Sequence, residues 1–274
     1  MKLGAARSLI AQVAETSRLL HQFGWVANHD GNVSVRSEGG RYIATPTATS
    51  KRVVQERDLV EVDGRGQVVG AGKIFGEIGL HLTVYERRPD VGCVVHAHPP
   101  NATAIGSSRS NPIERPFIAE ALVSLGPTIP KIPYAQPGDA AKAALAPWCE
   151  LVDAVILANH GVLTWGATAE QALLRMELVE HLAKIANAAV ALGGVEPLPD
   201  SAIGPLLAAR AKAGIGRAAD RAVELAGMLA RQSTQKPVVA CAPAPHSDVP
   251  TISPSGSRDL ASVVREEIVR ALRK

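Results

Sequence analysis

The sequence predicts an α/β fold in which helices sandwich a mixed sheet. Three observations predict it. The chain opens with an amphipathic segment at helical spacing, continues through short strand-length segments divided by Gly-rich or Asp-rich turns, and contains two near-continuous apolar runs, each with a helical segment after it.

Residues 5–23 carry Leu9, Ile10, Val13, Leu19 and Leu20 at helical intervals, and Gly24 supplies a stop. Residues 32–36, 42–45, 59–62 and 67–69 read as strands of an antiparallel sheet. The segment 64–70, GRGQVVG, lacks the GxGxxG pattern and has no helix after it, so it reads as a hairpin turn rather than a nucleotide loop. Residues 76–87 form the next helix. The apolar run 91–97 belongs in the sheet centre, ended by Pro99-Pro100, with a small helix near 101–106. The proline-punctuated stretch 112–137 is expected to cross the surface, with a strand around 129–134. Residues 152–158 form another buried strand, followed by a long helix over 169–192.

Composition changes after Gly194. Residues 205–232 are rich in Ala, Arg and Leu and read as helix, with break points at Gly214 or Gly216. Residues 233–257 have the Pro/Ser-rich composition of a linker, and 258–274 regain an amphipathic helical pattern. The expected organisation is a catalytic domain over 1–232, the linker, and a C-terminal helix.

Composition also excludes function classes. The net charge of +3 comes from 29 basic and 26 acidic residues spread along the chain, and aromatic content is 3%, so neither a basic stripe nor a stacking platform suggests nucleic acid. Cys93, Cys149 and Cys241 are odd in number, widely spaced and free of any CxxC, which suits reduced thiols in a cytoplasmic protein. No segment reads as a signal peptide or membrane span, so the expectation is a soluble protein without a membrane partner.

The motif that carries chemistry is VVHAHPP. Alternate side chains of a strand share a face, so His96 and His98 project together. With His160 in Asn159-His160-Gly161 and Glu77 on the preceding helix, they supply three neutral nitrogens and a carboxylate, a donor set suited to tetrahedral Zn²⁺ or another divalent metal with one displaceable ligand. His81, four residues after Glu77, could pair with it on one helical face.

These residues occur among others in a recognisable order: Gly31-Asn32-Val33-Ser34-Val35-Arg36, Ala44-Thr45-Pro46-Thr47, Glu77 with Leu80-His81-Leu82, Arg88-Pro89-Asp90, His96-Ala97-His98-Pro99, Pro133-Tyr134 and Asn159-His160-Gly161. Over residues 7–192 the chain resembles the class II aldolase/adducin family, typified by fuculose-phosphate and rhamnulose-phosphate aldolases. The resemblance implies a three-layer αβα sandwich with a largely antiparallel sheet, a homotetramer with active sites between subunits, and zinc held by His96, His98, His160 and Glu77. It makes Glu77 the acid/base, Gly31, Asn32 and Thr47 contacts to a sugar-phosphate substrate, and His81 a structural residue rather than a ligand. The implied reaction releases dihydroxyacetone phosphate, or a similar ketone, and an aldehyde. Decarboxylases and dehydratases use the same scaffold, and a non-catalytic adducin-like module is the reading of a different class.

The sequence also departs from the family pattern. Ala48 stands where Gly is usual, and Phe75-Gly76 replace two serines that bind phosphate, removing hydrogen bonds worth about 1.5–3 kcal/mol each. Lys51, Arg52, Lys73 and His29 are the candidates to compensate. Pro116-Phe117-Ile118 occupy the region of the family's tyrosine proton donor, which leaves Glu120 as a candidate. Asn159 either shapes the turn before His160 or orients substrate. The linker and terminal helix resemble encapsulation peptides that dock enzymes onto bacterial microcompartment shell proteins, which would place the enzyme inside such a shell; packing of 258–274 on its own tetramer is the alternative.

Overall fold

The computed structural model describes residues 3–213. The readings at 214–232, 233–257 and 258–274 lie outside the described residues. Seven strands form one sheet in the order β3-β2-β1-β4-β7-β6-β5, comprising β1 (Asn32–Arg36), β2 (Tyr42–Ala44), β3 (Val60–Val62), β4 (Cys93–Ala97), β5 (Lys131–Ile132), β6 (Ala154–Leu157) and β7 (Gly161–Gly166). Every neighbouring pair is antiparallel except β5 and β6, which run parallel. The strand bearing VVHAH is therefore central, as its apolar run predicts.

The pleat divides two cores. Cys93, Val95 and Ala97 pack on one face with Val33, Val162 and the apolar sides of α1 (Leu3–Gln22), α3 (Pro100–Ser107), α4 (Ala119–Leu125) and α6 (Ala169–Ala189). Val94, Val155, Leu163 and Trp165 pack on the other, against α2 (Ile78–Arg87) and α5 (Asp139–Cys149). This is the αβα sandwich, and its parity puts His96 and His98 on the α2 face. Gly24 ends α1 with φ +72, where Trp25 N donates to Leu20 O.

Several expectations are corrected. Residues 67–69 do not form a strand: Val68 makes an isolated bridge to Val62, with Asp63 N bonded to Gln67 O at 2.9 Å and Val69 N to Glu61 O at 2.8 Å, and the pairing goes no further. The stretch 112–137 is not a surface excursion: Ile113, Leu122, Leu125 and Ile129 are buried, and α4 lies within it. Helix α5 and strand β7 have no counterpart among the expected elements. Glu77 sits at the N-cap of α2 with φ −94 and ψ 10, one residue ahead of the helix. Among the described residues no helix is long and apolar enough to cross a membrane.

One buried ionic cluster extends the Arg88-Pro89-Asp90 motif. Asp153 is fully buried and receives Arg88 at 3.0 Å, Arg175 at 2.9 Å and Arg210. Arg88 also makes a bidentate pair with Asp90, both contacts 2.8 Å. Arg210 belongs to a further helix, α7 (Asp200–Lys212), whose Leu207 packs on Leu122 of α4.

Candidate metal centre

The three imidazoles meet where β4 ends beside the β6–β7 hairpin. His96 pairs in register with Asn32 on β1 and with Leu163 on β7. Its Nδ1 donates to the Val162 carbonyl at 2.9 Å, which leaves the lone pair on Nε2. His98 follows the strand, its backbone N–H bonded to Trp25 O at 2.8 Å. A three-residue loop, Ala158-Asn159-His160, brings the third ring across; Asn159 adopts φ +57, the left-handed conformation that closes such hairpins. Gly161 is required on packing grounds, since a β-carbon there would lie 2.5 Å from Ala97 O and from His98 Cδ2.

The donor atoms converge. Nε2 of His98 and of His160 lie 3.1 and 3.2 Å from Nε2 of His96, and one nitrogen of each ring lies within 4.8 Å of the others. Glu77 adds Oε1 at 3.1 Å from His160 Nε2 and Oε2 at 3.6 Å from His96 Nε2. Ligands about 2.0–2.1 Å from a tetrahedral zinc stand about 3.3–3.4 Å apart, so these separations fit a four-coordinate ion. The electrostatics agree. Burial, followed by His98 and His160, holds His96 well below the usual imidazole range, and burial then His160 lowers His98 against the opposing pull of Asp30. Neutral rings are the ligating form.

Around these donors lies a supporting layer. Asn32, 4% exposed, donates Nδ2 to Glu77 Oε2 at 3.4 Å, while its buried Oδ1 has no protein partner. Gly31, at φ +70, permits the approach of β1 to β4: a β-carbon would meet Val26 Cγ1 at 2.5 Å and His96 O at 2.9 Å. Asp30 Oδ2 lies 3.5 Å from His98 Nδ1. His81 bonds Ser34 Oγ at 2.7 Å, and burial pushes its pKa down to about 3, in keeping with a structural residue.

Other candidates are placed differently. Thr47 is half-buried, its N–H bonded to Lys73 O, and Ala48 beside it keeps a left-handed φ of +53 without being glycine. Lys51 is 2% exposed, with Nζ donating to Thr49 O at 2.9 Å and His29 O at 3.2 Å, and burial lowers it to about 8 against the opposing effect of Asp30. Glu120 is exposed in the first turn of α4, and no hydrogen bond joins it to the imidazoles. An open cleft of about 360 Å³ borders Glu77, His160 and Asn159 and extends to Tyr134. Sequence reasoning gave no role to Asp30 or Tyr134; the loop preceding Gly31-Asn32 and the Pro133-Tyr134 motif were the available signals.

The family model of the Class II Aldolase and Adducin N-terminal domain matches residues 11–187. The chain belongs to the class II aldolase and adducin family. Within it, the chain is 30% identical over 183 residues to a 3-oxo-tetronate 4-phosphate decarboxylase of Escherichia coli O6:H1, covering 65% of this chain and 86% of that protein. It is 32% identical over 167 residues to an L-fuculose phosphate aldolase of Methanococcus vannielii, covering 61% and 89%. The crystal structure of L-fuculose-1-phosphate aldolase from Thermus thermophilus superposes with a TM-score of 0.58 at 27% identity, over 70% of this chain and 98% of that one. Enzymes of this family depend on a metal, and the histidine triad is arranged to hold one.

Proposed function

We propose that the chain is a zinc-dependent aldolase that reversibly cleaves a phosphorylated ketose of the fuculose- or rhamnulose-phosphate type into dihydroxyacetone phosphate, or a similar ketone, and an aldehyde. The observation that carries this reading is the convergence of His96, His98 and His160 with Glu77 at the edge of an open cleft. A zinc ion held by these four residues would supply Lewis acidity for the ketone oxygen. The chain's own residues do the rest. Three neutral imidazoles would leave the ion most of its charge, and Val162 O fixes the His96 ring for that purpose. Glu77, which accepts a hydrogen bond from Asn32 Nδ2, would move a proton at the substrate carbon. Gly31, Asn32 and Thr47 would hold the phosphate end, with Lys51 bracing their two loops through the carbonyls of His29 and Thr49. Asn159 borders the cleft. Glu120 would reach such a site only from a neighbouring subunit of a homotetramer.

A second reading, decarboxylation, is favoured by the 30% identity to a 3-oxo-tetronate 4-phosphate decarboxylase. Loss of carboxylate from a 3-oxo acid leaves charge beside the ketone, so the two reactions share an enediolate and differ in the group that leaves. The test is to incubate zinc-loaded protein with fuculose 1-phosphate, rhamnulose 1-phosphate and a 3-oxo-tetronate 4-phosphate, following aldehyde and CO₂ separately. Aldehyde from a ketose phosphate supports the aldolase; CO₂ alone supports the decarboxylase; neither product, with the metal site filled, rejects both.

Residues 258–274 carry a separate proposal, docking to a microcompartment shell protein. A fusion of residues 233–274 to a fluorescent protein should concentrate in shells, and a diffuse signal in a shell-bearing host would reject it.

A further inference from the structure

Enediolate chemistry needs two proton-handling groups. One acts at carbon; the other gives a proton to the aldehyde oxygen in condensation and takes it back in cleavage. Glu77 serves the first, and the region where the family carries its tyrosine holds Pro116-Phe117-Ile118 instead.

The cleft narrows the search for the second. Its walls are largely apolar, from residues such as Leu80, Ile132 and Leu157, and the polar side chains on it belong to Glu77, His160, Asn159 and Tyr134. Glu77 and His160 face each other at 3.1 Å within the metal centre. An amide such as Asn159 has no proton to give at ordinary pH. Among the described residues that line the cleft, Tyr134 is the remaining protic group, 60% exposed.

Its setting suits the task. Gln136 Nε2 donates to the Tyr134 hydroxyl oxygen at 3.0 Å, so the phenol's own hydrogen stays free to point elsewhere. The loop is anchored to the hairpin that bears His160. Ala158 N donates to Ile132 O at 3.0 Å, and Tyr134 and His160 each stand two residues beyond that bond. Pro133 and Pro137 bracket the segment and restrict its backbone.

We propose that Tyr134 is the catalytic acid that protonates the aldehyde oxygen, an inference that rests on the aldolase reading. In condensation, Glu77 takes a proton from the ketone's α-carbon, the enediolate carbon forms a bond to the aldehyde carbon, and the carbonyl electron pair moves onto oxygen. That oxygen takes the Tyr134 proton. The chain is left with a protonated Glu77 and a Tyr134 phenolate, and exchange with solvent restores both. Cleavage runs the same steps backwards.

The half-reaction separates the two groups. Zinc-loaded wild-type protein and Tyr134→Phe are incubated with dihydroxyacetone phosphate in D₂O, following α-proton exchange by NMR, and then with added acetaldehyde, following condensation. Zinc content is measured for both. We expect Tyr134→Phe to keep its zinc and exchange within about 3-fold of wild type, and to lose condensation by roughly 10²–10⁴-fold. Condensation within about 3-fold of wild type would overturn the assignment while leaving the aldolase reading intact. Equal loss of exchange and condensation would also overturn it, by giving Tyr134 a role in binding or structure. A wild-type protein that holds zinc and does not condense overturns the aldolase reading and this role with it.

Discussion

His96 Nδ1 donates to Val162 O at 2.9 Å, from the central strand to its neighbour, and this one bond decides which nitrogen of the most buried imidazole faces the other two. The ring is 2% exposed and held neutral, so its lone pair is in place before any ion arrives. Replacing it removes a candidate ligand and its orientation together. His96→Ala should lower zinc affinity by more than about 100-fold, beyond the usual cost of losing an outer partner, and abolish turnover. Competition with a chromophoric chelator measures the first; full activity at normal zinc occupancy would remove His96 from the ligand set, and full activity without zinc would contradict the metal mechanism.

Gly161→Ala tests the same centre through packing. The added β-carbon meets a strand carbonyl and the His98 ring at 2.5 Å, and neither is the free end of a flexible chain. Zinc affinity should fall about 10–100-fold through displacement of His98, with stability lost by about 1–3 kcal/mol. A variant with wild-type affinity and urea midpoint would show that the hairpin yields at no cost.

The pH dependence of stability has a direction fixed by His81. Its folded pKa is about 3, against about 6.5 for a free imidazole, so between those values the unfolded chain binds a proton that the folded chain refuses. Stability from this site is therefore whole above about pH 6.5 and falls as pH drops towards 3. His81→Gln retains a hydrogen-bonding partner for Ser34 and removes the titration. The loss of urea midpoint between about pH 7 and pH 4.5 should shrink in this variant, and an unchanged loss would assign the acid sensitivity elsewhere.

The cluster around Asp153 predicts an asymmetry. Asp153→Asn leaves Arg88, Arg175 and Arg210 buried around a neutral amide and should cost about 3–5 kcal/mol. Arg210→Met leaves Asp153 with two guanidiniums and should cost less. Chemical denaturation of both variants checks the order, and equal losses would mean that the carboxylate does not organise the cluster.

The sequence made the central architecture legible because both of its periodicities are strong. The alternation through Val94, Val95, His96, Ala97 and His98 gave the strand, its burial and the shared face of two candidate ligands. Strand β7 escaped because Gly161–Gly166 follows β6 after only three residues and carries no turn marker beyond Asn159 and Gly161 themselves. Helix α4 escaped because prolines on both sides of Ala119–Leu125 suggested a wandering loop, although they stand outside the helix and leave its seven residues free to coil. The candidate ligands were legible as residue types. The helix end that holds Glu77, the carbonyl that aims His96 and the cleft that reaches Tyr134 depend on contacts between distant segments, which no local pattern records.

Arg210 lies 23 residues beyond the end of the matched family segment at residue 187, yet its guanidinium closes the charge cage under α4, where Leu207 covers Leu122. The matched module is thus sealed by chain that its family description omits. Anyone shortening this protein at the family border would uncork its interior, baring a leucine and stripping a counter-ion from Asp153, so a usable truncation keeps α7.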